Sequence, residues 1–166
     1  MIETIRRYYD YADWANERVF SAAEGLTEPQ FLQSELPGIW PIRDTLVHIQ
    51  WANSIWLGRW RGDPAPVDLN AADFPDVPSI RSAAAQISTD IHAFLDGLDD
   101  RQLAADFTYT NHLQETHAFP LGMQLLHVAN HATYHRGEVA ALLSRHGCSP
   151  GEIDVTRWMT RQSTDR

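Results

Sequence analysis

Three histidines recur at four-residue steps, His127, His131 and His135, inside a segment predicted to be helical from about 121 to 145. Residues four apart in a helix share a face, with Cβ atoms about 5–6 Å apart. Two imidazoles so placed can bind one metal ion at about 2.0–2.1 Å each. The competing reading is a cluster of hydrogen-bonded core histidines.

Helical geometry separates the three. Leu121, Leu125, Val128, Ala132, Val139 and Leu143 set the inward direction of this helix. His135 lies about 40–50° from that direction, His131 about 80–90° and His127 about 120–130°. His127 and His135 are also about 12 Å apart along the axis, too far to share one ion. The expected ligand pair is therefore His131 and His135, with His127 leaning to the rim. Glu138, one turn beyond His135, is the candidate catalytic side chain. It could orient a ligand, accept a proton, or pair with Arg136 or Arg145.

The pattern is not His-Glu-x-x-His, because Ala132 stands where the general base would be. No Gly-x-Ser-x-Gly elbow, P-loop, Gly-x-Gly-x-x-Gly turn or Glu-x-x-His di-iron pair is present. The lone cysteine, Cys148, has no cysteine partner and reads as structural or incidental.

Four long helices must position these groups. A helical rhythm runs over about 3–24, closed by Gly25, and Thr27-Glu28-Pro29-Gln30 predicts a short helical turn. Pro41 opens a second long helix, about 41–60, with His48 at the edge of its apolar stripe; alone, His48 reads as a hydrogen-bonded core-edge residue. The proline- and aspartate-rich stretch 61–77 is long for a compact domain. Its length suits a crossover between two parallel helices of a bundle. The third long helix, about 79–97, carries His92 at its edge. Alternation in Phe107–Thr110 and Glu115–Phe119 predicts a small hairpin with a turn at Asn111-His112, leading into the helix 121–145. Ser149-Pro150 resembles the start of a final short helix through Trp158 and Met159. The six tryptophans read as core and pocket wall.

At 166 residues, a single domain is expected. The net charge of −9 argues against a nucleic-acid backbone or an anionic membrane surface as main partner. No apolar run approaches the roughly 20 residues of a membrane span. The N-terminal stretch lacks a signal-peptide apolar region, and cysteine usage fits a reducing compartment, so a cytoplasmic location is expected.

The segment Leu126–Gly137 resembles the last long helix of the DinB-like (DinB/YfiT) superfamily of small metalloenzymes. Tyr11-Ala12-Asp13-Trp14-Ala15-Asn16 is similar to that family's first-helix motif, Ile42–Ile49 to its second, and Pro150–Met159, with Asp154, to its tail. The resemblance covers most of the chain. It implies an all-α four-helix bundle, up-down-down-up, with a long crossover between helices two and three and a short C-terminal helix. It also implies a divalent ion held by His48, His131 and His135. Glu138 departs from the glutamine common in relatives. Thiol-dependent transfer, with a low-molecular-weight thiol, or hydrolysis of a small-molecule substrate is the implied chemistry. Homodimerisation is a further expectation, suggested also by the apolar side chains Leu46, Val47, Trp51 and Leu57 beyond one stripe. Zinc or nickel suits three imidazoles, and iron or manganese also fits. The alternative is a stress-related protein that binds metal or a small ligand without turnover.

Overall fold

The computed structural model describes residues 1–34, 37–63, 67–111 and 113–164. Its long helices are α1 (Ile2–Ala23), α3 (Ile42–Arg61), α4 (Val77–Asp96) and α6 (Leu121–Arg145). Short helices α2 (Glu28–Leu32), α5 (Asp100–Ala104) and α7 (Val155–Thr164) connect or follow them. Strands β1 (Asp106–Thr110) and β2 (Thr116–Pro120) form one antiparallel hairpin, with Phe107 opposite Phe119. His112, at the expected turn, and Pro64 and Pro66, in the expected crossover, lie outside the described residues.

Side-chain contacts fix the helix directions. Tyr9 Oη donates to the Leu125 carbonyl at 3.0 Å, and Arg136 Nη1 donates to Asn16 Oδ1 at 3.2 Å, so α1 and α6 run parallel. Trp60 Nε1 donates to Gln124 Oε1 at 3.2 Å while His48 meets His131, so α3 runs against α6. Arg81 pairs with Glu24, and Arg6 donates to the Leu95 carbonyl, so α4 runs against α1. The order is up-down-down-up. Packing is cyclic: α1 and α3 each lie against both α6 and α4.

Two apolar layers fill the bundle. Val19, Phe20, Ile42, Leu46, Ile80, Val139 and Leu143 form one. Ile5, Leu57, Ile91, Leu95, Leu125 and Val128 form the other. The alternation of inward residues at three- and four-residue steps is what closes each helix onto its neighbours. Gly62 ends α3 in the left-handed region, φ 75°, where a side chain would be strained.

Three features depart from the sequence reading. Helix α4 starts at Val77, because the Asp76 side chain caps it by accepting from Ser79 N at 2.9 Å. The one-turn helix α5 follows a capping box of Asp99 and Gln102, a signal overlooked in the Asp99-Asp100 pair. The final helix begins at Val155, not at Pro150. Gly151 sits at φ +71°, which breaks any helix there, and a Cβ on it would come within 2.8 Å of Arg18 Nη2. Asp154 is the residue that turns the chain into α7, accepting from Thr156 N at 2.7 Å.

The hairpin is held by one buried amide. Gln124 is 3% exposed; its Nε2 donates to the carbonyls of Phe107 (2.7 Å) and Phe119 (2.9 Å), while its Oε1 accepts from Trp60. Gln124→Ala leaves these partners unpaired, and the expected destabilisation is about 2–3 kcal/mol. Urea denaturation of the variant checks this; an unchanged midpoint would show that the hairpin does not depend on the amide.

Candidate metal centre

Helix α3 delivers His48, and α6 delivers His131 and His135. Each histidine offers one ring nitrogen, and the three nitrogens lie within 4.8 Å of one another. The His48 and His131 Nε2 atoms are 3.1 Å apart. Ring centroids are 4.5–5.0 Å apart, with the rings steeply inclined to each other. Two ligands at about 2.0–2.1 Å on a tetrahedral ion stand about 3.3 Å apart, so this donor set fits a divalent ion.

Glu138 fixes one ring. His135 Nδ1 lies 2.7 Å from Glu138 Oε2. A carboxylate only accepts, so Nδ1 carries a proton, and Nε2 is the ring nitrogen left to face an ion. Tyr134 also hydrogen-bonds to Glu138, and its phenol is shifted upward by that bond and by the carboxylate charge. Glu138 is thus engaged by its own helix. The pairing with Arg136 considered from sequence is not formed.

Arg136 instead points into the bundle and is 1% exposed. Its Nη2 donates to Thr133 Oγ1 at 2.8 Å and its Nη1 to Asn16, and the guanidinium lies over the Tyr11 ring at 5.8 Å. Its position was legible: it stands four residues after Ala132 and three before Val139, on the core stripe. By locking α6 to α1 at the residue next to His135, it limits how far that histidine can turn.

Aromatic residues enclose the cluster. Trp40 stacks parallel to His135 at 6.5 Å and meets the His48 ring edge-on at 4.9 Å. Trp51 stacks on His48 at 5.4 Å and donates through Nε1 to Asp68 at 2.7 Å. On either side of Trp40 lie two open clefts. One, about 440 Å³, is lined by Trp40, Asp44, His48, Trp51 and Leu69. The other, about 240 Å³, is lined by Gly38, Tyr134, His135 and Glu138.

His127 is exposed, 5.5 Å from the Trp56 ring and 6.2 Å from the His131 ring, outside the cluster. His92 lies at the α4 edge, with Nε2 2.8 Å from Asp13. Cys148 is free and half-buried near the Gly25 turn.

An up-down-down-up helical bundle with a three-histidine cluster between its second and last long helices is the class this fold and site define. The chain belongs to the DinB family, whose model matches residues 1–166. It is 23% identical to the protein DinB of Bacillus subtilis, with 96% of each chain covered. Among solved structures it is similar to YfiT of Bacillus subtilis, described as a probable metal-dependent hydrolase with an unusual four-helix bundle topology. That match has a TM-score of 0.64 and 19% identity, covering 87% of this chain and 89% of the other. A conserved protein of Enterococcus faecalis matches with TM-score 0.64 and 12% identity, over 82% and 92% of the two chains.

Burial lowers the His131 pKa to about 4, helped by the neighbouring charges of His135, His48 and His127. Burial, then His135, also lowers that of His48. An unfolded histidine titrates near 6.5. As pH falls below that value, the unfolded chain binds a proton at His131 that the folded chain refuses until about pH 4. The stability contributed by neutral His131 is therefore full above about pH 6.5 and lost between about 6.5 and 4. Metal-free protein denatured by urea at a series of pH values should lose more stability across this window than His131→Gln. Equal slopes would contradict the assignment.

Proposed function

We propose that the protein is a metal-dependent enzyme that holds one divalent ion through His48, His131 and His135 and acts on a small molecule. The convergence of three ring nitrogens within 4.8 Å carries the reading. Three neutral imidazoles leave a coordination position open, the pattern of catalytic rather than closed structural sites. The clefts beside Trp40 give that position a route to solvent and substrate.

A bound ion supplies a Lewis acid and lowers the pKa of a coordinated water or thiol. The chain's own groups do the rest. Glu138 holds His135 in the tautomer that ligates and, once Nδ1–H is donated to it, raises the basicity of the ring. Trp40 and Trp51 give apolar walls that seat the substrate beside the histidines. Glu138 also faces the cleft between Tyr134 and Gly38, where it can receive a proton from a group bound there. Hydrolysis and thiol-dependent transfer are the reactions this arrangement suits. Zinc and nickel are the ions we favour, because neutral imidazoles suit both.

Elemental analysis of untagged protein tests the reading. One divalent ion per chain is expected, with occupancy lost in His48→Ala and in His135→Ala. Glu138→Gln should retain the fold and weaken metal affinity about 10- to 100-fold. Absence of stoichiometric metal after supplementation with zinc and nickel would overturn the site. Full occupancy without turnover of thiol or ester substrates would make the protein a binder instead.

A further inference from the structure

Helix α3 carries a second polar group on the face that presents His48. Arg59 follows His48 by eleven residues, a rotation of about 20° net and a rise of about 16 Å. Trp51 and Ile55 lie on the same stripe between them. Helical side chains lean toward the N-terminus, and Arg59 does so: its guanidinium lies over the Trp56 ring at 4.8 Å. It also lies 5.3 Å from the Tyr109 ring of β1, which packs edge-on against Trp56 at 4.7 Å. Arg59 is thus directed back toward the histidines.

A cleft of about 610 Å³ is lined by Trp51, Ile55, Arg59, Asp63, Asp68 and Tyr109. It shares Trp51 with the cleft that holds His48. The two clefts adjoin at Trp51 on one face of α3, with His48 lining one and Arg59 the other.

The arginine has no acid. In a chain of net charge −9, the other arginines of α3 are paired, Arg43 with Asp44 at 2.8 Å and Arg61 with Asp90 at 3.6 Å. Among the described residues, Arg59 makes neither an ion pair nor a hydrogen bond, although two aspartates line its cleft. Asp68 is taken by Trp51. Burial lowers the Arg59 pKa, Tyr109 opposing, a sign that its charge is poorly solvated. A guanidinium that makes no ion pair or hydrogen bond of its own has donors to spare, and its fork matches a carboxylate. A doubly charged phosphate fits less well, since Asp63 and Asp68 stand beside a single cation.

We propose that Arg59 anchors the carboxylate of an elongated organic-acid substrate whose reacting end reaches the three-histidine centre. This deepens the metal-enzyme reading and rests on it. The substrate class is then a carboxylic acid with an apolar middle, seated on Trp51 and Ile55.

Calorimetric titration tests it, with ω-mercaptooctanoate and the neutral ω-mercaptooctanol as probes, on zinc-loaded and on metal-free protein. The acid is expected to bind at least about tenfold more tightly than the alcohol, the scale of one charge-assisted bidentate pair. Arg59→Gln should abolish this preference, and Arg59→Lys should keep part of it, which separates lost charge from lost packing. Short mercaptopropionate should show no dependence on Arg59. Equal binding of acid and alcohol, failure of the acid to bind, or a preference that survives Arg59→Gln overturns the proposal. The ratio between zinc-loaded and metal-free protein reads the metal centre, and the acid-to-alcohol ratio reads Arg59, so the two ideas fail separately.

Discussion

Two consecutive helices that run parallel cannot be joined by a tight turn. Helix α3 is about 30 Å long, and the chain must travel that distance back before α4 can begin. The connecting residues 62–76 have an extended reach of about 50 Å, which leaves about 20 Å for detours. This obligation shapes the site. The returning chain passes Asp68 to Trp51 and brings Leu69 and Ala71 beside His48. Antiparallel neighbours with a short loop would leave that face of α3 bare. The crossover therefore serves as connection and as cleft wall.

The same topology sets what α6 must do. It touches α1 and α3 along its length and receives the hairpin at its start. Arg136 and Gln124 are its two buried polar anchors, one toward α1 and one toward α3 and the strands. Each is expensive to bury unless its partners are in place. They sit on either side of His131 and His135 in the chain, so the turn that bears both histidines is held by fixed polar contacts at both ends.

Much of this was legible in the sequence. The four long helices announce themselves through apolar periodicity, and the wheel of α6 separates inward His135 and flanking His131 from outward His127 without any coordinates. Alternation in Phe107–Thr110 found the hairpin. Other features were hidden for physical reasons. His48 alone is an edge histidine; only the antiparallel packing of α3 on α6, a long-range fact, makes it a neighbour of His131. Arg136 stands in the core register, but a charged residue there is buried only when partners from another helix, here Asn16, meet it. The start of α7 was misplaced because Ser149-Pro150 imitates a helix entry, while Gly151 forbids it. Arg59 drew no notice, since an arginine is remarkable only when the acids around it fail to pair.

The link between His48 and His131 spans 83 residues. Such a separation means that the ring cluster is among the last things the chain can assemble. A growing polypeptide holds His48 in a finished α3 long before α6 exists, and during that interval the imidazole has no companions. An ion held by the three rings would be chosen only once the bundle closes, by the folded geometry rather than by a short peptide motif with grip of its own.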